Sequence, residues 1–491
     1  MPGIFLLLAL RFLAIWLIPP GGDEVVQLYI ADDIARFRQL PIYFYDQALM
    51  GTLESYFLAP VFKLFGFSFL AGRIAYSLFY FSFMAMFLGV TRRLFGRELS
   101  FYLLILLSIL PFPALFFTTV IGWAEIPMLA ILSLVLLLKA AHEEPGRLGW
   151  PSLGLGFVCG IAFWCNPLFA VWLVPIGISL IGLGLTKGAR LPAGFLLGLL
   201  VGLFPVWIHG LRTGILMNLS DRGGGGFVAL GDLARVFYLF FARMKYFLST
   251  FSFGPVSPWS DQLIRGLSFI PFLIFSISFG SLVLYFLRSY KRLKREEKIF
   301  YSFVILPPLV LMLLYCSRNF IARDEGMRFF VQLLAAYPFA VAWQLERLKS
   351  TVWKKGCLGI LLGVLILGNL FSGREMVRRG SELRNLAQFL EREGLRFGIA
   401  DIGIAYPLNV LTRHRVLTTP LLHHAASDSI WERVKAGGPR FLILERQNPQ
   451  LRGDVERDPH LKKTSVGAYD VFYGESDYLS SILDVREPIL G

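Results

Sequence analysis

The chain has 491 residues, of which 55% are hydrophobic, 15% aromatic and only 17% charged, more apolar than a soluble domain requires. That balance excludes soluble and disordered classes and indicates a polytopic membrane protein. The net charge of +14 does not call for nucleic acid, because membrane proteins collect Lys and Arg in the loops of one face.

The opening segment, MPGIFLLLALRFLAIWLIPP, lacks an A-x-A-like cleavage site and is read as a retained first helix. Apolar runs long enough to cross a bilayer follow near 68–90, 99–117, 123–140, 150–165, 167–185, 191–208, 264–287, 299–316, 329–345 and 356–371, giving about 11 transmembrane helices with the first at 3–20. Arg11, inside the first run, either snorkels or pairs within the bundle. The four cysteines, Cys159, Cys165, Cys316 and Cys357, form no C-x-x-C pair, which argues against a zinc or redox site.

The loops sort by charge. TRRLFGR (91–97), KAAHEEPGR (139–147), TKGAR (186–190), RSYKRLKREEK (288–298) and ERLKSTVWKK (346–355) alternate with loops poorer in basic residues. Basic loops mark the inner face, so the N-terminus lies inside, and the long connections 21–67, 209–263 and 317–328 lie outside with the C-terminal tail. Within the first, Val26, Ile30, Ile34 and Phe37 form an apolar stripe at helical spacing opposite Asp32, Asp33 and Arg36, the pattern of a helix resting on the bilayer.

Polar residues become common in the last 120 or so residues. Helices are expected at 381–393 and 429–436, and strands at 396–403, 440–446 and 465–474. The chain thus divides into a membrane domain, 1–371, and a small extracytoplasmic α/β domain, 372–491. The latter has no G-x-G-x-x-G or phosphate loop and reads as a lid or partner-binding cap.

The outer stretch GDEVVQLYIADDIARFRQLPIYFYDQALMGTLESYFLAPVFKLFGFSFLAGR resembles the first extracytoplasmic loop of GT-C superfamily membrane glycosyltransferases. It is most similar to the family 39 group of protein O-mannosyltransferases and the aminoarabinose transferase acting on lipid A. The matching positions are Asp23 and Glu24 after the first helix, Glu54 some thirty residues on, Phe62 to Ser68, and Arg73. Weaker echoes are GWAEIP (122–127), AFWCNPL (162–168), FPVWIHGLRTG (204–214) and MRFFVQLLAAYP (327–338).

The resemblance implies a GT-C fold and transfer of a sugar, with inversion, from a polyprenyl-phosphate donor to an acceptor hydroxyl on the outer face. One carboxylate base and cations on the departing phosphate suffice for that chemistry. Asp23 is the expected base, with Glu24 as its rival and Glu54 as a partner orienting the acceptor. Asp23 also sits well to cap the helix that follows two glycines. Arg328, Arg323, Arg318 and Arg212 are the expected phosphate-binding residues, because guanidinium can bind two phosphate oxygens and stays charged; pairing with Asp324 or Glu325 is the alternative for the first three. Glu125 and Tyr56 are candidates to line the cavity.

No metal or other cofactor is expected: His209, His423 and His424 lack ligand partners at a recognisable spacing, and the family 39 group is metal-independent. DRGGGG (221–226) lacks the G-K-[S/T] ending of a phosphate loop. The expected partners are the lipid-linked donor, an unspecified protein, lipid or glycan acceptor, and membrane lipids, in a prokaryotic inner membrane. Two alternatives stand beside this reading. One is an oligosaccharide ligase or polymerase with a pyrophosphate-linked donor and a divalent metal; the other is a non-enzymatic lipid-sugar flippase or scaffold.

Overall fold

The computed structural model describes residues 2–44, 50–120, 122–143, 149–214, 233–248, 258–314, 330–420, 428–445 and 455–484. It is an α-helical membrane protein with a small five-stranded sheet near its C-terminus. The helices are α1 (Pro2–Leu17), α2 (Gly22–Ala35), α3 (Leu53–Phe65), α4 (Phe69–Phe95), α5 (Arg97–Ser108), α6 (Phe112–Thr119), α7 (Glu125–His142), α8 (Trp150–Cys165), α9 (Ala170–Lys187) and α10 (Arg190–Gly202). They continue as α11 (Phe204–Thr213), α12 (Leu233–Leu248), α13 (Pro258–Ser289), α14 (Arg295–Leu314), α15 (Ala336–Arg347) and α16 (Thr351–Arg392).

Each expected span falls on helical structure, but the runs 99–117 and 191–208 are each broken into two bent helices and the count differs. Among the described residues six helices are long and apolar enough to cross a bilayer, or eight if the bent pairs α5–α6 (78°) and α10–α11 (47°) each count as one span. The helices α1 and α8, 16 residues each, extend about 24 Å at 1.5 Å per residue, short of a hydrocarbon core of about 30 Å.

The tightest helix contact joins α8 to α10 through glycines. A methyl group added at Gly156 would stand 1.9 Å from the Phe195 carbonyl oxygen, and one at Gly198 would stand 2.0 Å from that of Leu153. Gly160 and Gly202 meet in the same way. The spacings Gly156-x-x-x-Gly160 and Gly198-x-x-x-Gly202 are the small-residue seams by which helices approach in lipid, where packing rather than water exclusion drives association.

The apolar stripe expected to rest on the bilayer is used otherwise. In α2, Val26, Ile30 and Ile34 are buried, but so are Val25, Leu28 and Tyr29 from other faces, because α3 packs on one side and the C-terminal domain on another. Phe37 lies past the helix end, exposed, with a left-handed φ of 55°. Asp32 accepts from Arg36 (2.9 Å) and Arg38 (2.6 Å), at the helix end away from Asp23.

The strands are β1 (Phe397–Ala400), β2 (Leu417–Pro420), β3 (Phe441–Glu445), β4 (Lys462–Val466) and β5 (Tyr469–Tyr473), in the order β2-β1-β3-β5-β4. The first three are parallel, linked by α17 (Ile402–Leu411) and α18 (Asp428–Gly437); β5 and β4 add antiparallel, and α19 (Asp477–Asp484) follows. The single strand expected at 465–474 is the turn and second arm of a hairpin. It reverses at Gly467-Ala468, with Gly467 at φ 59°, a conformation glycine adopts without strain.

One helix ties the two parts together. The expected boundary at 371/372 falls inside α16, whose Leu365 lies in the membrane core and whose Leu386 and Leu390 pack with Ile443 and Val471 of the sheet. The domain also docks on the segment between α1 and α4. Tyr29 of α2 stacks on Phe67 (5.8 Å between centroids), meets Tyr406 of α17 edge-on (6.1 Å) and meets His414 (5.6 Å). His414 and Arg413 both hold left-handed φ values, 60° and 50°, a strain that persists only where surrounding packing enforces it.

Candidate active site

The two adjacent acids that follow α1 have different fates. Gly21 caps α2, so Asp23 is the second helical residue and Glu24 the third; the capping role considered for Asp23 is not the one it fills. Glu24 turns inward: its Oε2 accepts from the Gly21 N–H at 3.2 Å, and its two oxygens accept from Arg73 Nε and Nη2 at 2.6 Å each. Arg73 spends its other N–H groups on the carbonyls of Ile15 (3.0 Å), Ile18 (2.7 Å) and Pro19 (3.1 Å). All five guanidinium donors are thereby used. Both side chains are 0% exposed.

The pair joins three segments, the end of α1, the start of α2 and the start of α4. It also keeps Glu24 from an acceptor substrate, since both its oxygens are engaged by the buried guanidinium. Asp23, one residue earlier, is exposed. It lies in the first turn of α2, where the helix dipole favours a carboxylate.

A second pair of acids is buried beside the first. Glu54 opens α3 and is 2% exposed; Glu125 opens α7 and is 1% exposed. Tyr76 donates its hydroxyl to Glu125 Oε2 at 2.5 Å. The same phenol oxygen accepts from the N–H groups of Gly122 (2.9 Å), Trp123 (2.6 Å) and Ala124 (2.6 Å), the entry to α7, which has no side-chain cap. Glu54 lies against Glu125, and burial first, then that neighbour, pushes its carboxyl well above the usual carboxylate range. Its Oε2 has no hydrogen-bond partner among the described residues. Two carboxyls buried side by side disfavour a second negative charge, which is why the neutral form of Glu54 is favoured.

The two clusters adjoin. Arg73 and Tyr76 lie one turn apart on α4, and a methyl group on Gly21 would touch Val120, just ahead of α7, at 3.7 Å. The loop before α3 is seated on the same wall: Gly51 donates to the carbonyls of Trp164 (3.0 Å) and Cys165 (3.1 Å), Trp164 Nε1 donates to Ile42 (3.0 Å), and Cys165 is within electrostatic reach of both Glu54 and Glu125.

Of the expected phosphate-binding residues, Arg212 is exposed on α11 near Tyr56 of α3; burial raises the Tyr56 phenol and the Arg212 charge draws it back. His209, on the same helix, meets Tyr43 edge-on at 4.7 Å. Arg318, Arg323 and Arg328 lie outside the described residues, as do DRGGGG, His423 and His424. Among the described residues no three His, Cys, Asp or Glu side chains converge to hold a metal. Of its two alternatives, Arg11 takes pairing inside the bundle: it is 2% exposed, donates to Thr119 (2.9 Å) and Thr118 (2.6 Å), and lies over the Tyr80 ring at 3.7 Å.

Two residues of this site carry more than the sequence assigned them. Arg73 had a place in the outer-loop pattern but no role, although an arginine opening a membrane span is costly enough to require a partner. Tyr76 gave no sequence signal beyond its spacing of three from Arg73.

Comparison with known proteins agrees with this architecture. Residues 50–209 match the family model described as dolichyl-phosphate-mannose-protein mannosyltransferase. The crystal structure of ArnT from Cupriavidus metallidurans in the apo state is similar over 98% of both chains, with a TM-score of 0.61 at 12% identity. The same protein bound to undecaprenyl phosphate is similar over 96% of this chain and 97% of its own, with a TM-score of 0.58 at 12% identity. The Archaeoglobus fulgidus oligosaccharyltransferase in complex with Zn and sulfate is similar over 90% of this chain and 68% of its own, with a TM-score of 0.53 at 12% identity. No curated protein matches in sequence.

Proposed function

We propose that this chain, whose fold is similar to that of ArnT and whose residues 50–209 match a mannosyltransferase family model, is a GT-C membrane glycosyltransferase that transfers a sugar from a polyprenyl-phosphate donor to an acceptor hydroxyl at the outer membrane surface. The observation that carries the reading is the division of labour between Asp23 and Glu24. The burial of Glu24 against Arg73 leaves Asp23 as the exposed carboxylate of the pair, at a helix start rigidly tied to α1 and α4.

In the proposed reaction Asp23 accepts the proton of the acceptor hydroxyl as its oxygen bonds to the anomeric carbon from the face opposite the phosphate. The bond from that carbon to the phosphate oxygen breaks with its electron pair, and polyprenyl phosphate leaves as an anion. A phosphate needs charge stabilisation rather than a proton from an acid, which suits Arg212 and the expected Arg318, Arg323 and Arg328. Glu125, fixed by Tyr76, and Glu54 form the wall behind the reacting centre; Glu54, held neutral, adds no second negative charge next to the departing phosphate. No metal is assigned to the reaction. The C-terminal domain, docked on Tyr29 and Phe67, holds the outer loop in place, and an inner-membrane location with that domain outside completes the proposal.

The test is to give the purified full chain a panel of polyprenyl-phosphate sugars with protein, lipid and glycan acceptors and to measure released polyprenyl phosphate. Release by the native chain and its loss in Asp23→Asn are expected. No release with any donor, or equal release by Asp23→Asn, overturns the reading.

A further inference from the structure

At the opposite end of the bundle from Asp23 and Glu54 there is a second site. A cavity of about 250 Å³ opens between the end of α4, the end of α7 and the start of α14. Its floor is apolar, formed by residues such as Val135 and Leu138, and its rim carries Arg93, Lys139 and Lys294 with His142, Glu296 and Glu297.

The position is fixed by helix length. Arg73 and Arg93 are both on α4, and the 20 residues between them span about 30 Å at 1.5 Å per residue. Along α7, Glu125 and His142 begin and end the helix, about 26 Å apart by the same measure. Those lengths match the hydrocarbon thickness of a bilayer. The cavity therefore lies at the other membrane interface, the one marked by the basic loops 91–97, 139–147 and 288–298.

Its charges are unbalanced. Glu297 is occupied by its own helix: Oε2 accepts from the Lys294 N–H at 2.8 Å. Glu296 is occupied by His142, Oε1 to Nε2 at 3.1 Å. Among the described residues no acid pairs with the side chains of Arg93, Lys139 or Lys294. Lys187 and Arg295 lie close enough to act on each other beside the same rim, and Lys187 is turned onto the Glu143 carbonyl.

Orientation in the membrane requires basic loops. It does not require three cations, against two acids turned onto a helix start and a histidine, around a concavity with an apolar floor. We infer that this cavity binds a phosphate-bearing headgroup, its phosphate oxygens on Arg93, Lys139 and Lys294 and its first carbons on the Val135–Leu138 floor. Its volume is below the roughly 300–1,000 Å³ of pockets that enclose a drug-sized ligand and suits a headgroup whose chains remain in the bilayer. Basic pockets between helix ends hold anionic lipids by the same forces. The site is independent of sugar transfer, and its test does not read transfer.

The test places the full purified chain in mixed micelles of phosphatidylcholine and phosphatidylglycerol and counts retained lipid by native mass spectrometry. The native chain is expected to prefer phosphatidylglycerol, and R93Q/K139Q/K294Q to lose that preference by about tenfold or more, since each surface cation contributes about fivefold to anionic-lipid attraction. A control removing three basic residues elsewhere on the same face, R92Q/R97Q/K355Q, retains it. Glu296→Gln, which leaves a folded rim with one acid fewer, strengthens it. Inorganic phosphate in excess separates the sources: displacement of the lipid identifies a soluble phosphate compound as the occupant, and persistence identifies the lipid headgroup. Equal retention by native chain and rim variant, equal loss in rim and control variants, or no gain with Glu296→Gln overturns the inference.

Discussion

Arg73 and Tyr76 stand three residues apart on α4, and each fixes a different acid: Arg73 closes on both oxygens of Glu24, and Tyr76 donates to Glu125 while gathering three N–H groups from the entry to α7. One turn of one helix thus sets where α1, α2 and α7 meet. The arrangement explains why a site built from loop residues can be rigid. The acids lie at helix starts, and those starts are tied to a single long helix.

The neighbouring acids should fail differently when neutralised. Asp23→Asn is expected to abolish transfer with little change in unfolding temperature. Glu24→Gln leaves a buried guanidinium without its counter-charge and should destabilise the chain by about 3–5 kcal/mol. Parallel measurement of polyprenyl phosphate release and thermal unfolding in detergent separates the two; the reverse pattern would make Glu24 the base.

Tyr76→Phe removes one oxygen that serves as acceptor for three N–H groups and donor to Glu125. Unsatisfied buried groups cost about 1–3 kcal/mol each, so with four groups losing a partner a loss of about 3 kcal/mol or more is expected, together with a fall in turnover rate because Glu125 is no longer held. Loss of stability with unchanged turnover would confine Tyr76 to capping α7.

Glu54 should give the protein an unusual pH dependence. Its native carboxyl titrates above the ordinary range, so between the ordinary value and the raised one the native state holds a proton that the unfolded chain has released. The stability it contributes is complete below the unfolded value and is lost as pH rises through the native one. Glu54→Gln is expected to flatten that alkaline decline in unfolding temperature, and an unaltered profile would show that Glu54 is ionised in the native protein.

The α8–α10 seam predicts a position-dependent response to one methyl group. Gly156→Ala places it 1.9 Å from a backbone oxygen that cannot move aside alone, a case of overpacking expected to cost about 1–3 kcal/mol. Gly177→Ala, with nothing within 4 Å on α9, should be neutral or stabilising by about 0.5–1 kcal/mol. Unfolding temperatures of the two variants in the same detergent decide it.

Much of the architecture was legible because the bilayer imposes a length and an apolarity that can be read residue by residue. Most apolar runs are single helices, two are bent pairs, and the alternation of polar helix and apolar strand after residue 372 announced the sheet. The hairpin at Gly467 was missed because two short antiparallel arms around one glycine look like a single alternating strand. The surface helix at 22–35 was misjudged for another reason. Its stripe is real, but whether its other faces meet water or protein depends on α3 and α17, which come from distant parts of the chain.

The sequence by itself determined the helices, the sheet domain and the presence of acids just beyond the first span, because local apolarity and spacing govern these. Only the tertiary structure decided which acid is which. Glu24 and Asp23 are adjacent and chemically almost alike, and it is the guanidinium of Arg73, 49 positions further on, that draws one into the protein and leaves the other at the surface. The same holds for Glu54 and Glu125: 71 residues separate them in the sequence, and no periodicity relates them, yet folding buries them side by side and makes one of them hold its proton.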